Sequence, residues 1–325
     1  MAGPYNLRFE GLLVEEEVTY GTDPTPSASA DGVRAVGRLW EAMSPEYAFP
    51  NKREDVVSNS LVKVAPGLPK GRIMNLDFVV ELIGSGAAYS SVTPVRPAMD
   101  ALFRACGMSR THVDTGSSES VSYALADSSH ASCTIWVYAG GDLFKIVGCR
   151  GNFVWDVLAG GLGQVRFQMQ GMLSTAPAET AVASITYDSV LPPAAVGMGL
   201  AIVPSGGASW TPWCSSMSVT PGNVIERLDD VNAADGIASF EIVSRAPRIT
   251  LAVRKPDLTD YTLYARALSQ VLHTIDATLG STQYNRVDLD VDAAYLMTDG
   301  GFGADNSHAA IDLEYEALDM IVRFD

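Results

Sequence analysis

The most regular feature of this chain is an alternation of apolar and acidic residues near its C-terminal end. Successive side chains of a β-strand point to opposite faces, so an alternating stretch predicts a strand with one apolar face and one acidic face. Two such strands are predicted, over residues 286–297 and 310–324. Their acidic positions are Asp288, Asp290, Asp292, Asp312, Glu314 and Glu316.

Shorter apolar runs with glycine-rich connections predict a β-rich block in the first half of the chain. A short helix is expected at 97–106, because Pro97 suits the first helical position and Gly107 suits the C-terminal cap. The connections between the strands are typical of hairpins. The predicted strands are 74–83, 133–138, 143–149, 152–158 and 164–173.

A second block repeats this order of elements. Strands are predicted at 239–243 and 248–253, followed by a helix that begins after Asp260 as its N-cap. The two alternating strands then close the block, joined by a glycine-rich turn at 299–306. The repeated order favours an ancient duplication. The apolar face of the second helix would consist of Tyr264, Ala267, Leu268 and Val271.

These elements predict a mainly β protein of two tandem β-sandwich or barrel domains, each with a short flanking α-helix. A chain of 325 residues is long enough to bury a core in each. We place the first domain at 1–190 and the second at 213–325. Residues 191–212, which are rich in Pro, Gly, Ala and Ser, are expected to be a linker.

The net charge of −16 is unevenly spread along the chain. Residues 1–175 carry 14 basic and 18 acidic side chains, whereas residues 176–325 carry 8 and 20. A field of this sign repels phosphate, so the composition argues against a protein that grips nucleic acid. It is compatible with a surface that DNA passes without sticking.

The cysteines and histidines are spaced too irregularly for a metal site. Cys106, Cys133, Cys149 and Cys214 include no C-x-x-C pair, and no two histidines lie four residues apart. We therefore expect buried, reduced thiols, no bound metal and no cofactor. Residues 1–10 do not resemble a signal peptide, and no apolar run approaches the ~20 residues that span a bilayer. We expect the chain to fold in a cytoplasm and to have no contact with membrane.

Two short motifs match known catalytic or metal-binding patterns, but for each an ordinary turn or strand is the better interpretation. The tetrapeptide that begins at Asp114 (DTGS) matches an aspartic-protease motif, but that chemistry needs a second such carboxylate and the flanks indicate a surface turn. The run from Asp288 to Asp292 imitates a calcium loop, yet position 6 is Ala293 instead of glycine. No nucleophile elbow is present either. We expect no catalytic residues.

Several segments together resemble the tail tube proteins of bacteriophages with long, non-contractile tails. No single segment is diagnostic, and the resemblance lies in their combination and order, which covers most of residues 1–175. The segments are 15–26 (EEEVTYGTDPTP), 102–107 (LFRACG), 143–151 (LFKIVGCRG) and 159–171 within 138–173.

The resemblance implies a structural virion protein with no enzymatic activity, assembled in the host cytoplasm into stacked rings that form the tail tube. Its implied partners are further copies of itself, the tape-measure protein, and the tail terminator and tail-tip proteins, while genomic DNA passes without specific binding. If the second block is another tube domain, three chains would form a ring of six similar domains. If it is a peripheral domain, six chains would be needed. The repeated order of elements favours the trimer.

This function suggests roles for particular residues. The six acidic positions named first are candidates for the lumen lining, although the alternative that they form an ordinary solvated face stays open. Segments 15–33 and 83–95 have the composition of flexible connectors, so they are candidates for contacts between rings. A different class of function, a virion decoration or adhesin-type binding protein, is the alternative to the tube. The candidate inter-ring residues are Glu15, Glu16, Glu17, Tyr20, Asp23, Ser85 and Tyr89.

Overall fold

The structure, a computed structural model, describes residues 9–50, 69–90, 95–114, 119–182, 184–298, 301–305 and 307–325. Strands hold 53% of the residues and helices 6%, which confirms the predicted mainly β class. In the described part of the chain, the helices are α1 (Leu39–Ala42), α2 (Asp100–Ala105) and α3 (Leu263–Ser269). The strands of the first half are β1 (Gly11–Glu16), β2 (Ala35–Val36), β3 (Met43–Phe49), β4 (Lys70–Glu81), β5 (Met108–Val113), β6 (Ser120–Leu125), β7 (Cys133–Ala139), β8 (Asp142–Leu158), β9 (Gln164–Leu173) and β10 (Ala178–Glu179). Those of the second half are β11 (Ala201–Pro204), β12 (Cys214–Thr220), β13 (Asn223–Asp229), β14 (Ile237–Arg245), β15 (Arg248–Arg254), β16 (Leu272–Leu279), β17 (Val287–Thr298), β18 (Phe302–Asp305), β19 (His308–Ala317) and β20 (Ile321–Phe324).

Eight strands form a continuous antiparallel run that crosses both halves of the chain, hereafter the long sheet. Their order is β3–β4–β9–β8–β12–β15–β19–β18. The halves meet where β8 pairs with β12, with Trp155 opposite Val219. Each half supplies four strands in matching order, with a short helix between its second strand and its closing hairpin. The division into two domains stays a prediction.

A second layer of strands packs across the core from the long sheet. It has the order β5–β6–β20–β17–β16–β11. Strand β17 joins the two layers, because its first part pairs with β20 and its last part pairs with β19. The buried side chains of both layers belong to one hydrophobic core. The predicted alternation of apolar and polar residues therefore corresponds to strands that each bury one face.

Phe103 of α2 lies at the centre of this core, between the two layers. Its ring centroid is 5.1 Å from that of Phe153 on β8 and 5.6 Å from that of Phe167 on β9. On the other side it lies 5.1 Å from Tyr123 of β6 and 6.1 Å from Phe324 of β20. The inner faces of the long sheet and of the second layer therefore face each other across this helix.

The stretch 191–212, expected to be a linker, contains β11, which pairs with β16. Ile202 of this strand is fully buried, and Leu200 just before it is also buried. Part of this stretch thus forms a strand of the second layer, which its Pro- and Gly-rich composition did not predict.

Several predicted strand boundaries were wrong. The predicted strands 143–149 and 152–158 are one strand, β8, because Gly148, with a φ of 63°, forms a bulge that β9 spans without a break. The predicted strand 310–324 is two strands, since the chain leaves β19 after Ala317 and pairs again with β17 as β20. Strand 239–243 exists as β14, but its partner β13 was not predicted.

Both predicted helices exist but are shorter than expected. Helix α2 begins at Asp100 instead of residue 97, and Gly107 follows it with a φ of 77°, as its proposed capping role requires. Helix α3 begins at Leu263, two residues later than an Asp260 cap implies. Leu268, placed on the apolar face by the spacing, is 88% exposed, because Leu263 is the residue that this helix buries.

A buried histidine beside α3 leads to a pH prediction. His273 hydrogen-bonds Tyr261 through Nε2 at 2.9 Å, and burial, followed by the Arg266 charge, lowers its pKa. The unfolded chain therefore takes up a proton near pH 6.5 while the folded chain does not. This contribution to stability is present above pH 6.5 and lost as the pH falls below it. In urea unfolding at pH 7 and pH 5, wild type should lose more stability than His273→Gln, and equal losses would contradict the assignment.

Candidate lumen and contact surfaces

The outward face of the long sheet is polar, except where the β13–β14 hairpin packs on Ile73 and Met172. Register places Asp156 of β8, Ser218 of β12, Thr250 of β15 and Glu314 of β19 in one row across four strands. The hydroxyl of Ser218 donates to Asp156 Oδ1 at 2.6 Å. Strand β9 adds Gln164, Arg166, Gln168 and Gln170 to the same face. The alternation along the sequence predicted the polar faces of β9 and β19 separately, but not that they form one surface, because that surface exists only once β8 pairs with β12.

The arginines of this outward face are each paired with a carboxylate from another strand. Arg166 donates through Nε to Asp77 Oδ1 of β4 at 2.6 Å, and its second nitrogen donates to Oδ2. This pairing lowers the pKa of Asp77 and raises that of Arg166. The other pairs in the described part of this face are Arg248 with Glu314 at 2.5 Å, Arg254 with Asp305 at 2.9 Å, and Arg150 with Glu241.

The acidic face of β17 is less exposed and less charged than the sequence predicted. Asp288 is largely buried, at 3.6 Å from Arg323 and 3.8 Å from Arg286, and Asp290 pairs with Arg323 at 2.5 Å. Burial raises the pKa of Asp290, although Arg323 opposes it. Asp276 of β16 lies directly opposite Asp290 and adds a carboxylate that the pattern search missed. The face is therefore acidic but partly neutralised.

The acidic residues of β17 and of β19, all predicted to line a lumen, lie on different faces of the molecule. Glu314 and Glu316 continue the outward face of β8 and β9, whereas Asp288 and Asp290 continue the outward face of β20. These faces point away from Phe103 in opposite directions. At most one of them can therefore line a lumen whose wall is one subunit thick. The lumen role of all six residues stays a prediction.

Glu17, a candidate for contact between rings, is an internal anchor of its own chain. Its side chain is 7% exposed and accepts four hydrogen bonds. Oε1 accepts from Thr134 Oγ1 and the amide of Gly148, both at 2.7 Å. Oε2 accepts from Ser132 Oγ at 2.6 Å and the amide of Gly21 at 2.8 Å. The carboxylate thus ties the segment after β1 to the bulge of β8.

Tyr20 and Arg150 extend this anchor to the β13–β14 hairpin. The Tyr20 hydroxyl donates to the Gly148 carbonyl at 3.1 Å and accepts from the Phe240 amide at 2.8 Å. Arg150 donates to the Phe240 carbonyl at 2.7 Å and lies 5.2 Å from the centre of the Tyr20 ring. The hairpin is therefore held by the same cluster.

The other candidate contact residues also bond within the chain. Glu16 pairs with Arg104 at 2.7 Å, and Asp23 accepts from the Trp136 indole at 3.1 Å. Tyr89 is buried, donating to the Tyr284 carbonyl at 3.2 Å, and Ser85 donates to the carbonyl of Ala87 at 2.6 Å. Glu15 lines an open cleft of about 660 Å³, where burial and then Asp31 raise its pKa. Their role between rings stays a prediction.

The remaining motifs contribute no site to this picture. Of the tetrapeptide beginning at Asp114, residues 115–117 lie outside the described residues, as do residues 299, 300 and 306 of the glycine-rich turn. Among the described residues, no group of three or more His, Cys, Asp or Glu side chains is arranged to hold a metal ion. The same residues include no helix with the length and apolar character needed to cross a membrane.

Comparison with known proteins assigns the family. No curated protein was found to match the chain. A family model described as "Phage tail tube protein" matches residues 11–317, which is nearly the whole chain and includes both halves. The resemblance inferred from the first 175 residues is confirmed and extends further than those segments. The chain is a member of the phage tail tube protein family, and its role is that of a structural component of the virion tail.

Proposed function

We propose that this chain is the tube subunit of a phage with a long, non-contractile tail, and that rings close through the two edges of the long sheet. The observation that carries the proposal is that, among the described residues, no strand pairs with the outer side of β3 or of β18. Phe302 of β18 lies opposite the buried Ile311 of β19, on the core side of the sheet, yet it is 76% exposed. An apolar side chain on the core side of an edge strand is what a neighbouring strand would cover.

The even number of strands favours continuation of the long sheet into the long sheet of a neighbouring chain. Because eight is even, β18 of one chain and β3 of the next run antiparallel when the sheets are placed side by side. Three chains then give a closed barrel of 24 strands, with a circumference of about 150 Å and a diameter of about 48 Å at the usual strand spacing and tilt. A barrel of six chains would have a diameter of about 96 Å, far wider than a DNA duplex needs. The smaller diameter of the three-chain ring supports the trimer.

The conduit would carry genomic DNA at ejection and enclose the tape-measure protein before it. The terminator and tail-tip proteins would bound the stack, and assembly would take place in the host cytoplasm. Negative-stain electron microscopy of the concentrated protein tests the proposal. Hollow rings or tubes with three-fold modulation are expected, whereas monomers that stay single in the presence of tail-tip complexes would favour a decoration protein.

Phe302→Asp is expected to abolish ring closure while leaving the fold intact. A charge at the core side of the edge would have to be buried against the neighbouring chain, which costs several kcal/mol for each contact. Analytical ultracentrifugation and electron microscopy would report the loss of assembly. Leu268→Asp, the same change at an exposed residue of α3 outside the sheet, is the control and should assemble normally. Tubes formed by Phe302→Asp would rule out this edge.

A further inference from the structure

We propose that DNA slides along the outward face of the long sheet, and that carboxylates on neighbouring strands hold the arginines of this face so that no guanidinium is available to phosphate. The inference rests on the proposed function and adds to it the surface and the device that prevent sticking. It departs from the sequence-based expectation, in which repulsion by acidic residues alone was considered.

The pairing of Arg166 is the clearest case. Half of its side chain is exposed, so without a partner it would meet any phosphate that passed this face. Instead, its two nitrogens engage both oxygens of Asp77, and Asp156 adds a second negative charge nearby. A guanidinium bound in this bidentate way has its planar donor edge occupied.

The second half of the sheet repeats the arrangement. Arg248 donates to Glu314 and lies directly opposite Glu316, so it is also flanked by two carboxylates. Arg254 donates through Nε to Asp305, and the Trp213 ring lies 4.8 Å from its guanidinium. Both halves of the chain therefore pair their outward arginines with carboxylates, through two nitrogens at Arg166 and through one at Arg248 and Arg254.

Stability does not account for these pairs. Exposed ion pairs contribute only about 0–1 kcal/mol, so an uncharged pair of residues would hold the sheet equally well. Their effect on DNA is larger, because every free cation adds a phosphate contact and a salt-dependent term to binding. In a tube of many stacked rings, one free arginine per chain would be repeated along the whole path of the DNA.

The experiment compares two outward faces in intact virions. Asp77→Asn together with Glu314→Gln removes the carboxylates to which Arg166 and Arg248 donate on the long sheet, and Asp290→Asn removes the nearer of the two carboxylates beside Arg323 on the β17 face as a control. DNA release after triggering is measured at about 50 and about 200 mM salt, the range over which phosphate contacts weaken strongly. The first variant should slow release severalfold at low salt and recover at high salt, whereas Asp290→Asn should release at the wild-type rate.

A rescue variant separates sticking from damage to the tube. Adding Arg166→Gln and Arg248→Gln to the Asp77→Asn and Glu314→Gln variant leaves no guanidinium at either pair and should restore release. Slow release by Asp290→Asn alone would place the β17 face in the lumen and overturn the proposal. Normal release by the first variant, or failure of the rescue, would also overturn it. Absence of rings from wild-type protein would instead refute the proposed function, independently of these variants.

Discussion

Replacing Phe103 with alanine is expected to lower the free energy of unfolding by about 3–5 kcal/mol, the usual range for removing a buried aromatic ring. Phe103 is 1% exposed and contacts four aromatic rings, two from each layer. Its loss would leave a cavity where the long sheet and the second layer meet. The neighbouring side chains belong to paired strands of both layers, so these strands should move little to fill the cavity.

Urea unfolding followed by tryptophan fluorescence would measure this loss, with an unchanged m-value as the sign that both proteins unfold alike. Leu268→Ala is a helical control at an exposed position and should change stability by less than about 0.5 kcal/mol. A cost below about 1 kcal/mol for Phe103→Ala would mean that the layers do not meet at this ring.

Local pattern was enough to predict the core-facing side of this fold. Val287, Leu289 and Val291 alternate with aspartates and are all fully buried. The same period-two signal located Phe167 on the inner side of β9. Alternation determines which side chains share a face, and burial then follows because apolar side chains leave water.

Pairing between distant strands could not be predicted in this way. The acidic residues of β17 and β19 have the same pattern, yet the structure places them on opposite outward faces, because β17 changes partners from β20 to β19. At that change, Asp319 accepts hydrogen bonds from the amides of Asp292 and Ala293 at 2.9 and 3.1 Å. No local sequence pattern predicts that β17 belongs to both layers.

The role of Glu17 shows a further limit of pattern. Three consecutive glutamates look like a solvated stretch, and this composition suggested contact between rings. The second and third point to opposite sides of the chain. Glu16 forms half-buried pairs with Arg104 and Arg110, while Glu17 accepts hydrogen bonds from three separate segments. Three of the four donors, on Ser132, Thr134 and Gly148, lie more than 100 residues away in sequence, so only the folded chain reveals them.

Replacing Glu17 with alanine is expected to cost about 3–5 kcal/mol, because hydrogen bonds to a charged group contribute about 1.5–3 kcal/mol each and a buried donor left without an acceptor is costly. Four donors would lose their acceptor, including the amides of Gly21 and Gly148. Glu17→Gln keeps the size but only one acceptor oxygen, so about 1–3 kcal/mol is expected. Urea unfolding gives the stabilities, and hydrogen exchange at Gly21 and Gly148 should speed up in both variants.

Glu15→Ala, two residues earlier in β1, is the matched control. Burial and neighbouring carboxylates raise the pKa of Glu15, so its charge is not stabilised there and its removal should leave stability within about 0.5 kcal/mol. Electron microscopy of the variants then separates two roles for Glu17. Lower stability with tubes still forming would make it an internal anchor. Unchanged stability with tubes lost would instead return it to the contact between rings, because the carboxylate would then be needed only when a second ring is present.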